Sequence, residues 1–142
     1  MAIANVLQNL STGLNVQIKW PNDIIVNDKK AGGILIENIL RGSKWTHCVI
    51  GLGLNVNQET MPDDLPHATS LTMESGKKYL LPQLRDSIHA SVMQAADFPQ
   101  EPESAMKSYN QLLFKREQLQ RFTDPAGYRE VIIKGAHSDG RL

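Results

Sequence analysis

An α+β fold, helices packed on one mixed or antiparallel sheet, is predicted by three features of the 142-residue sequence. Apolar residues recur at helical spacing up to Leu10, alternate at strand spacing from Val16 to Leu54, and return to helical spacing beyond Leu81. The runs of strand character are joined by links too short for crossover helices, which favours antiparallel neighbours. Beyond Lys115 the texture becomes strand-like again, which predicts a second, small β unit.

The first element is a helix over Ala2 to Leu10, with Ile3, Val6, Leu7 and Leu10 on one stripe and Gly13 as a stop. Val16 to Trp20 alternates as a strand, Pro21-Asn22-Asp23 interrupts it, and Ile24 to Val26 resumes before a tight turn at Asn27-Asp28-Lys29-Lys30. Gly33 to Glu37 and His47 to Leu54 form the next strands, linked by Arg41-Gly42-Ser43-Lys44. Gln58 to Thr69 is a polar, proline-containing loop. Pro82 opens a helix whose stripe is Leu84, Ile88 and Val92, extended by Ala95 and Phe98; Glu101 to Phe114 is another, with Ala105, Tyr109, Leu112 and Leu113 as its apolar side. Gln118 to Phe122 and Val131 to Ile133 are strands around a Thr123-Asp124-Pro125-Ala126-Gly127 turn, and Ser138-Asp139-Gly140 signals one more turn.

Composition narrows the function. Fifteen basic side chains balance fifteen acidic ones, so no general field holds nucleic acid or an anionic membrane. No apolar run approaches the roughly 20 residues that span a bilayer, and the start lacks a signal-peptide pattern. A single cysteine makes no internal disulfide, which points to a reducing, cytoplasmic setting. The four histidines show no metal-ligand spacing, and Gly51-Leu52-Gly53 lacks the third glycine and following helix of a dinucleotide fingerprint.

Strand parity locates a candidate ligand face. Cys48, Ile50, Leu52 and Leu54 share one side, expected to be core, which makes Cys48 a buried packing residue. Gly51, Gly53 and Asn55 share the other side; on the preceding strand, Ile34 and Ile36 oppose Gly33, Leu35 and Glu37. Glycine-containing faces let a ligand lie against the backbone, and glycines also serve bulges and close strand crossings; parity leaves both open. Lys19, Asn22, Asp23 and Lys30 gather around the Pro21 break. A lysine there suits a carboxylate or phosphate, and Asp23 suits Mg²⁺ or an incoming amine; turn chemistry and solvated hairpin charges are the plainer account.

As a set, these residues resemble a known family. Lys19-Trp20-Pro21-Asn22-Asp23, Lys30 with Gly33-Ile34-Leu35-Ile36-Glu37, and Gly51-Leu52-Gly53-Leu54-Asn55 look like the KWPND, K-x-x-GIL-x-E and G-x-G-x-N segments of biotin protein ligases, in the family's order. Ala68-Thr69-Ser70-Leu71 and the β segment after Lys115 extend the resemblance along the chain. It implies a class II aminoacyl-tRNA synthetase-like fold, with residues 1–114 the C-terminal part of a catalytic domain and residues 115–142 the beginning of a small SH3-like β-barrel. It further implies ATP, biotin and Mg²⁺ as reactants, biotinyl-5′-AMP as intermediate, and a lysine of a carboxyl carrier domain as acceptor. Lys30 and Asp23 match catalytic positions. Lys30, Gly33, Leu35, Gly51 and Gly53 match the biotin site; Lys19, Asn22, Lys30 and Asn55 match adenylate contacts; no metal ligand is certain.

The family's glycine- and arginine-rich closing loop and the DNA-binding helix-turn-helix of some members find no match here. The expectation is therefore an incomplete ligase without repressor function, weak or inactive alone, in which homodimerisation is possible. Two rivals stand beside it. A lipoate-type ligase shares the chemistry but lacks the Trp-Pro pair, and a noncatalytic carrier-binding module would retain the fold alone. A thiol-dependent octanoyl transferase would need an exposed cysteine nucleophile.

Overall fold

In the computed structural model, which describes residues 1–97, 101–125 and 127–142, the core is a four-stranded antiparallel sheet. Strand order follows the chain: β1 (Val16–Lys19), β2 (Asp23–Val26), β3 (Lys29–Arg41) and β4 (Lys44–Leu54). Helix α1 (Ala2–Gln8) precedes the sheet, and α2 (Leu71–Ser75), α3 (Leu81–Asp97) and α4 (Pro102–Gln111) follow it. A separate hairpin of β5 (Leu119–Asp124) and β6 (Gly127–Ile132) comes last.

The hairpins are set by turn chemistry. Asn27 and Asp28 both adopt positive φ, 49° and 68°, the backbone of a tight two-residue turn between β2 and β3. Gly42, at φ 61°, opens the two-residue turn that pairs Arg41 with Lys44. The turn falls within the expected Arg41–Lys44 link, but pairing continues from Asn38 to Arg41 and from Lys44 to Cys48, so β3 and β4 run to 13 and 11 residues and project beyond the core.

Parity then assigns the two faces. Val16 and Ile18 pair with Val26 and Ile24, and these residues share the side of Ile34, Leu52 and Leu54. Ile3 and Leu7 of α1, Leu71 of α2, and Leu84 and Ile88 of α3 pack there. Helices cover one face, and the other is left open around Gly33, Gly51 and Gly53, while Ile25 on that side is buried.

Several expectations need correcting. Cys48 is exposed, not core, and its neighbour on the same face, Ile50, is 44% exposed. Parity places both on the helix side, but α3 packs on α1 and stands off the outer half of β4, leaving a groove between them. The last helix ends at Gln111 instead of Phe114: Leu112–Phe114 leave it to close the free edge of β1, with Ile18 N–H donating to Leu112 O at 2.8 Å and Phe114 N–H to Ile18 O at 2.9 Å. Helix α2 is too short for apolar spacing to mark it. Ser70 caps it by accepting from Met73 N–H at 3.1 Å while donating to Gln58 O at 2.6 Å. Phe98 and Ala126 lie outside the described residues. No helix among the described residues is long and apolar enough to cross a membrane.

One glycine is required by contact. A Cβ on Gly32 would lie 2.3 Å from Gly53 O and 3.1 Å from Leu54 Cα, both main-chain atoms that cannot swing away. Gly32→Ala should therefore cost about 1–3 kcal/mol, the usual range for forcing a methyl into a packed site, measured by urea unfolding. An unchanged midpoint would contradict the close approach.

Candidate active site

The open face of the sheet is organised as a row. Lys19 pairs with Asp23, Asp23 with Gly33, and Gly33 with Gly53, so four residues from four strands stand side by side on one face. The next row places Leu35 opposite Gly51. A Cβ on Gly53 would meet nothing within 4 Å, and one on Gly51 only Leu35, 3.8 Å or more away. These two glycines therefore leave space above the backbone without relieving any clash. They make a floor.

Lys30 reaches this face through an irregularity. Simple alternation from Gly33 would send an even-numbered neighbour such as Lys30 to the helix side. Between β2 and β3, however, Ile24 pairs with Gly32 and Ile25 with Lys30, so Ala31 is an extra residue. A one-residue bulge reverses the facing of everything before it, and Lys30 lands on the side of Asp23 and the glycines. Its ammonium lies 2.7 Å from Asp23 Oδ1, with the lysine side chain 53% exposed and the carboxylate 21%. At that exposure the pair contributes no more than about 1 kcal/mol of stability. Its value is in placing a mobile cation beside a half-buried anion.

A cavity of about 740 Å³ opens between these groups. Its lining brings together Asn22, Asp23, Lys30, Gly33, Leu35, Gly51, Gly53 and Asn55, eight of the nine residues singled out from the sequence. Lys19 is the ninth. It faces the same side, opposite Asp23, but lies at the strand end outside the lining. Glu37 shares the face too, paired with Val49 farther along the hairpin, and does not line the cavity.

The rim comes from the loop before α2. Leu65 and Ala68 line the cavity, and the loop grips Lys30 by its main chain: Lys30 N–H donates to His67 O at 2.8 Å, and Thr69 N–H to Lys30 O at 2.8 Å. Asn55 ties the same loop to β4, its Nδ2 donating to Thr69 O at 3.1 Å and its carbonyl accepting from Leu71 N–H at 3.1 Å. The sequence assigns no site role to Gly32 and Leu65, nor to Ala68 and Thr69 beyond their place in the resembling segment. The Thr69-Ser70 pair before an apolar residue was the available signal for a capped helix start there.

Chemically, the site offers a cation that can leave its carboxylate for an incoming anion, a floor of bare backbone, and the amide side chains of Asn22 and Asn55 in the lining. Among the described residues there is no group of three His, Cys, Asp or Glu placed to hold a metal ion.

Comparison with known proteins agrees with this geometry. Residues 1–55, which contain the three motifs, match the biotin/lipoate A/B protein ligase family. The chain is 42% identical over 83 residues to the bifunctional ligase/repressor BirA of Bacillus spizizenii, an alignment that spans 55% of this chain and 26% of that protein. It is 48% identical over 44 residues to the chloroplastic biotin–protein ligase 1 of Arabidopsis thaliana, spanning 31% of this chain and 12% of the relative. The chain thus spans about a quarter or less of the curated relatives it matches. In fold, it superposes on the Aquifex aeolicus biotin protein ligase in complex with biotin and ATP with a TM-score of 0.69 at 21% identity, covering 98% of this chain and 58% of that one. The Leishmania major biotin protein ligase in complex with biotinyl-5-AMP gives 0.64 at 20%, covering 98% and 65%. Motifs, family match and fold converge: residues 1–55 are similar to the biotin/lipoate A/B protein ligase family, and the chain shares the fold of the solved biotin protein ligases.

Proposed function

We propose that this chain supplies the biotin and adenylate sites of a biotin protein ligase, which forms biotinyl-5′-AMP from biotin and ATP and transfers the biotinyl group to a lysine of a carboxyl carrier domain. The observation that carries this reading is the glycine floor beneath the Lys30–Asp23 pair. Backbone without side chains makes room for a fused-ring ligand, and the cation on the same face suits the ligand's carboxylate. On this reading Gly33, Leu35, Gly51 and Gly53 contact biotin, and Asn22 and Asn55 contact the adenylate with Lys19 at its edge. Residues 1–114 then correspond to the C-terminal part of the catalytic domain, and residues 115–142 to the start of an SH3-like domain. The setting is cytoplasmic, without nucleic acid or membrane as partner; a homodimer is compatible with it.

In the first step a carboxylate oxygen of biotin attacks the α-phosphorus of ATP and pyrophosphate leaves. Lys30 exchanges Asp23 for the two approaching anions and offsets the charge that builds between them. Magnesium would enter with the ATP phosphates and keep several of its waters, so that Asp23, the cavity's one carboxylate, is not required as its ligand. In the second step the neutral amine of the acceptor lysine attacks the acyl carbon, AMP leaves, and the amine's proton passes to Asp23, now released from Lys30. A lipoate-type ligase is the second reading, because the matched family includes both; the Trp20-Pro21 pair favours biotin.

Three outcomes are expected of the full-length protein. Biotin should drive exchange of pyrophosphate into ATP, and Lys30→Ala should lower that exchange by about 10²-fold or more; undiminished exchange would remove Lys30 from the chemistry. Gly53→Val should raise the KM for biotin about tenfold or more without shifting the melting temperature, because the added side chain enters open space. Asp23→Asn should slow transfer from preformed biotinyl-5′-AMP to the carrier by about 10²-fold while sparing adenylate formation; equal losses in both steps would refute its assignment as acceptor of the amine's proton.

A further inference from the structure

The geometry points to Glu74 as a positioning residue for Lys30, acting through the two stretches of main chain that flank it; its catalytic consequence rests on the ligase reading above. Lys30 has little packing of its own, with its side chain half exposed. What fixes it is backbone: the hydrogen bonds to His67 and Thr69, which form an isolated parallel bridge with Ala68 on one side, and the turn at Asn27-Asp28 immediately before it.

Both supports meet on one carboxylate. Thr69 is fully buried, and its hydroxyl donates to Glu74 Oε1 at 2.6 Å. Asn27 Nδ2 donates to Glu74 Oε2 at 3.1 Å, and Lys29 Nζ lies 3.6 Å from Oε1. The carboxylate, on α2, is only 13% exposed. Asn27 is itself held in its left-handed conformation by Asn15 N–H, which donates to its Oδ1 at 2.9 Å. Charge-assisted hydrogen bonds to a largely buried carboxylate are stronger and shorter than neutral ones, which suits a fixed bracket. Helix α2 does not depend on Glu74 for its start, because Ser70 provides the cap. The carboxylate therefore clamps the loop and the turn together, and Lys30 is the residue between them.

The test combines hydrogen exchange with kinetics. In Glu74→Ala the Lys30 amide should exchange about tenfold faster or more, as its partner loop loosens. Glu74→Gln should restore most of the protection, since its amide can accept from Asn27 and donate to the Thr69 hydroxyl. Thr69→Val, nearly isosteric, should loosen the same amide if Glu74→Ala fails to fold. In the full-length protein, Glu74→Ala should lower kcat for biotin-dependent pyrophosphate exchange about tenfold with little change in KM, and should add nothing in a Lys30→Ala background. An unchanged Lys30 amide in both Glu74→Ala and Thr69→Val, or an equal fold-loss in both backgrounds, would overturn the assignment. A wild-type protein without exchange activity would instead defeat the ligase reading, leaving hydrogen exchange to decide whether Glu74 positions Lys30.

Discussion

The site depends on one extra residue. Ala31 is inserted where β3 pairs with β2, and because side chains alternate with a period of two, that insertion decides which face Lys30 occupies. With it, the ammonium lies on the same face as Gly33 and Gly53, 2.7 Å from Asp23. Without it, alternation would send the same lysine toward the helices, where a charge would meet Ile24 and Val26. Bulges recur beside active sites because they re-aim a side chain without altering the rest of the sheet.

Around that bulge the structure spends its buried polar groups on holding backbone. Thr69 and Ser70 are the buried polar residues among those described, and both belong to the segment that grips Lys30 and opens α2. Asn55 carries two tasks at once, closing the loop against β4 and presenting itself at the cavity's end. The glycines divide similarly. Gly32 is needed because Gly53 O comes too near for a Cβ, whereas Gly51 and Gly53 face space that a side chain would fill. One glycine is therefore structural, and the other two give the cavity its depth.

Much of this was legible in the sequence, for physical reasons that differ by residue. Alternation over Gly51 to Leu54 puts Gly51 and Gly53 on a common face, as their pairing with Leu35 and Gly33 shows, and Asn55 follows them in the cavity lining. Turn-forming residues at Asn27-Asp28 and Gly42-Ser43 located both hairpins. Lys30 was recoverable only from its motif, because a bulge leaves no mark in apolar spacing. Cys48 was assigned to the core because parity tells which face a residue takes, not how far the covering helix extends. The roles of Thr69, Glu74 and Ala68 are not legible because they act across long sequence separations, and no local pattern links Glu74 to Asn27, 47 residues away.

The central claim is that the bulge at Ala31 delivers Lys30 to a ligand lying on the Gly33–Gly53 floor. A crystal structure of the full-length protein with a non-hydrolysable biotinyl-adenylate analogue tests it most directly. The bicyclic ring is expected against Gly51 and Gly53, with Lys30 Nζ released from Asp23 and within about 3 Å of a phosphate-mimicking or acyl oxygen of the analogue. An analogue bound away from the glycine face, or a Lys30 still paired with Asp23 and remote from the ligand, would contradict it.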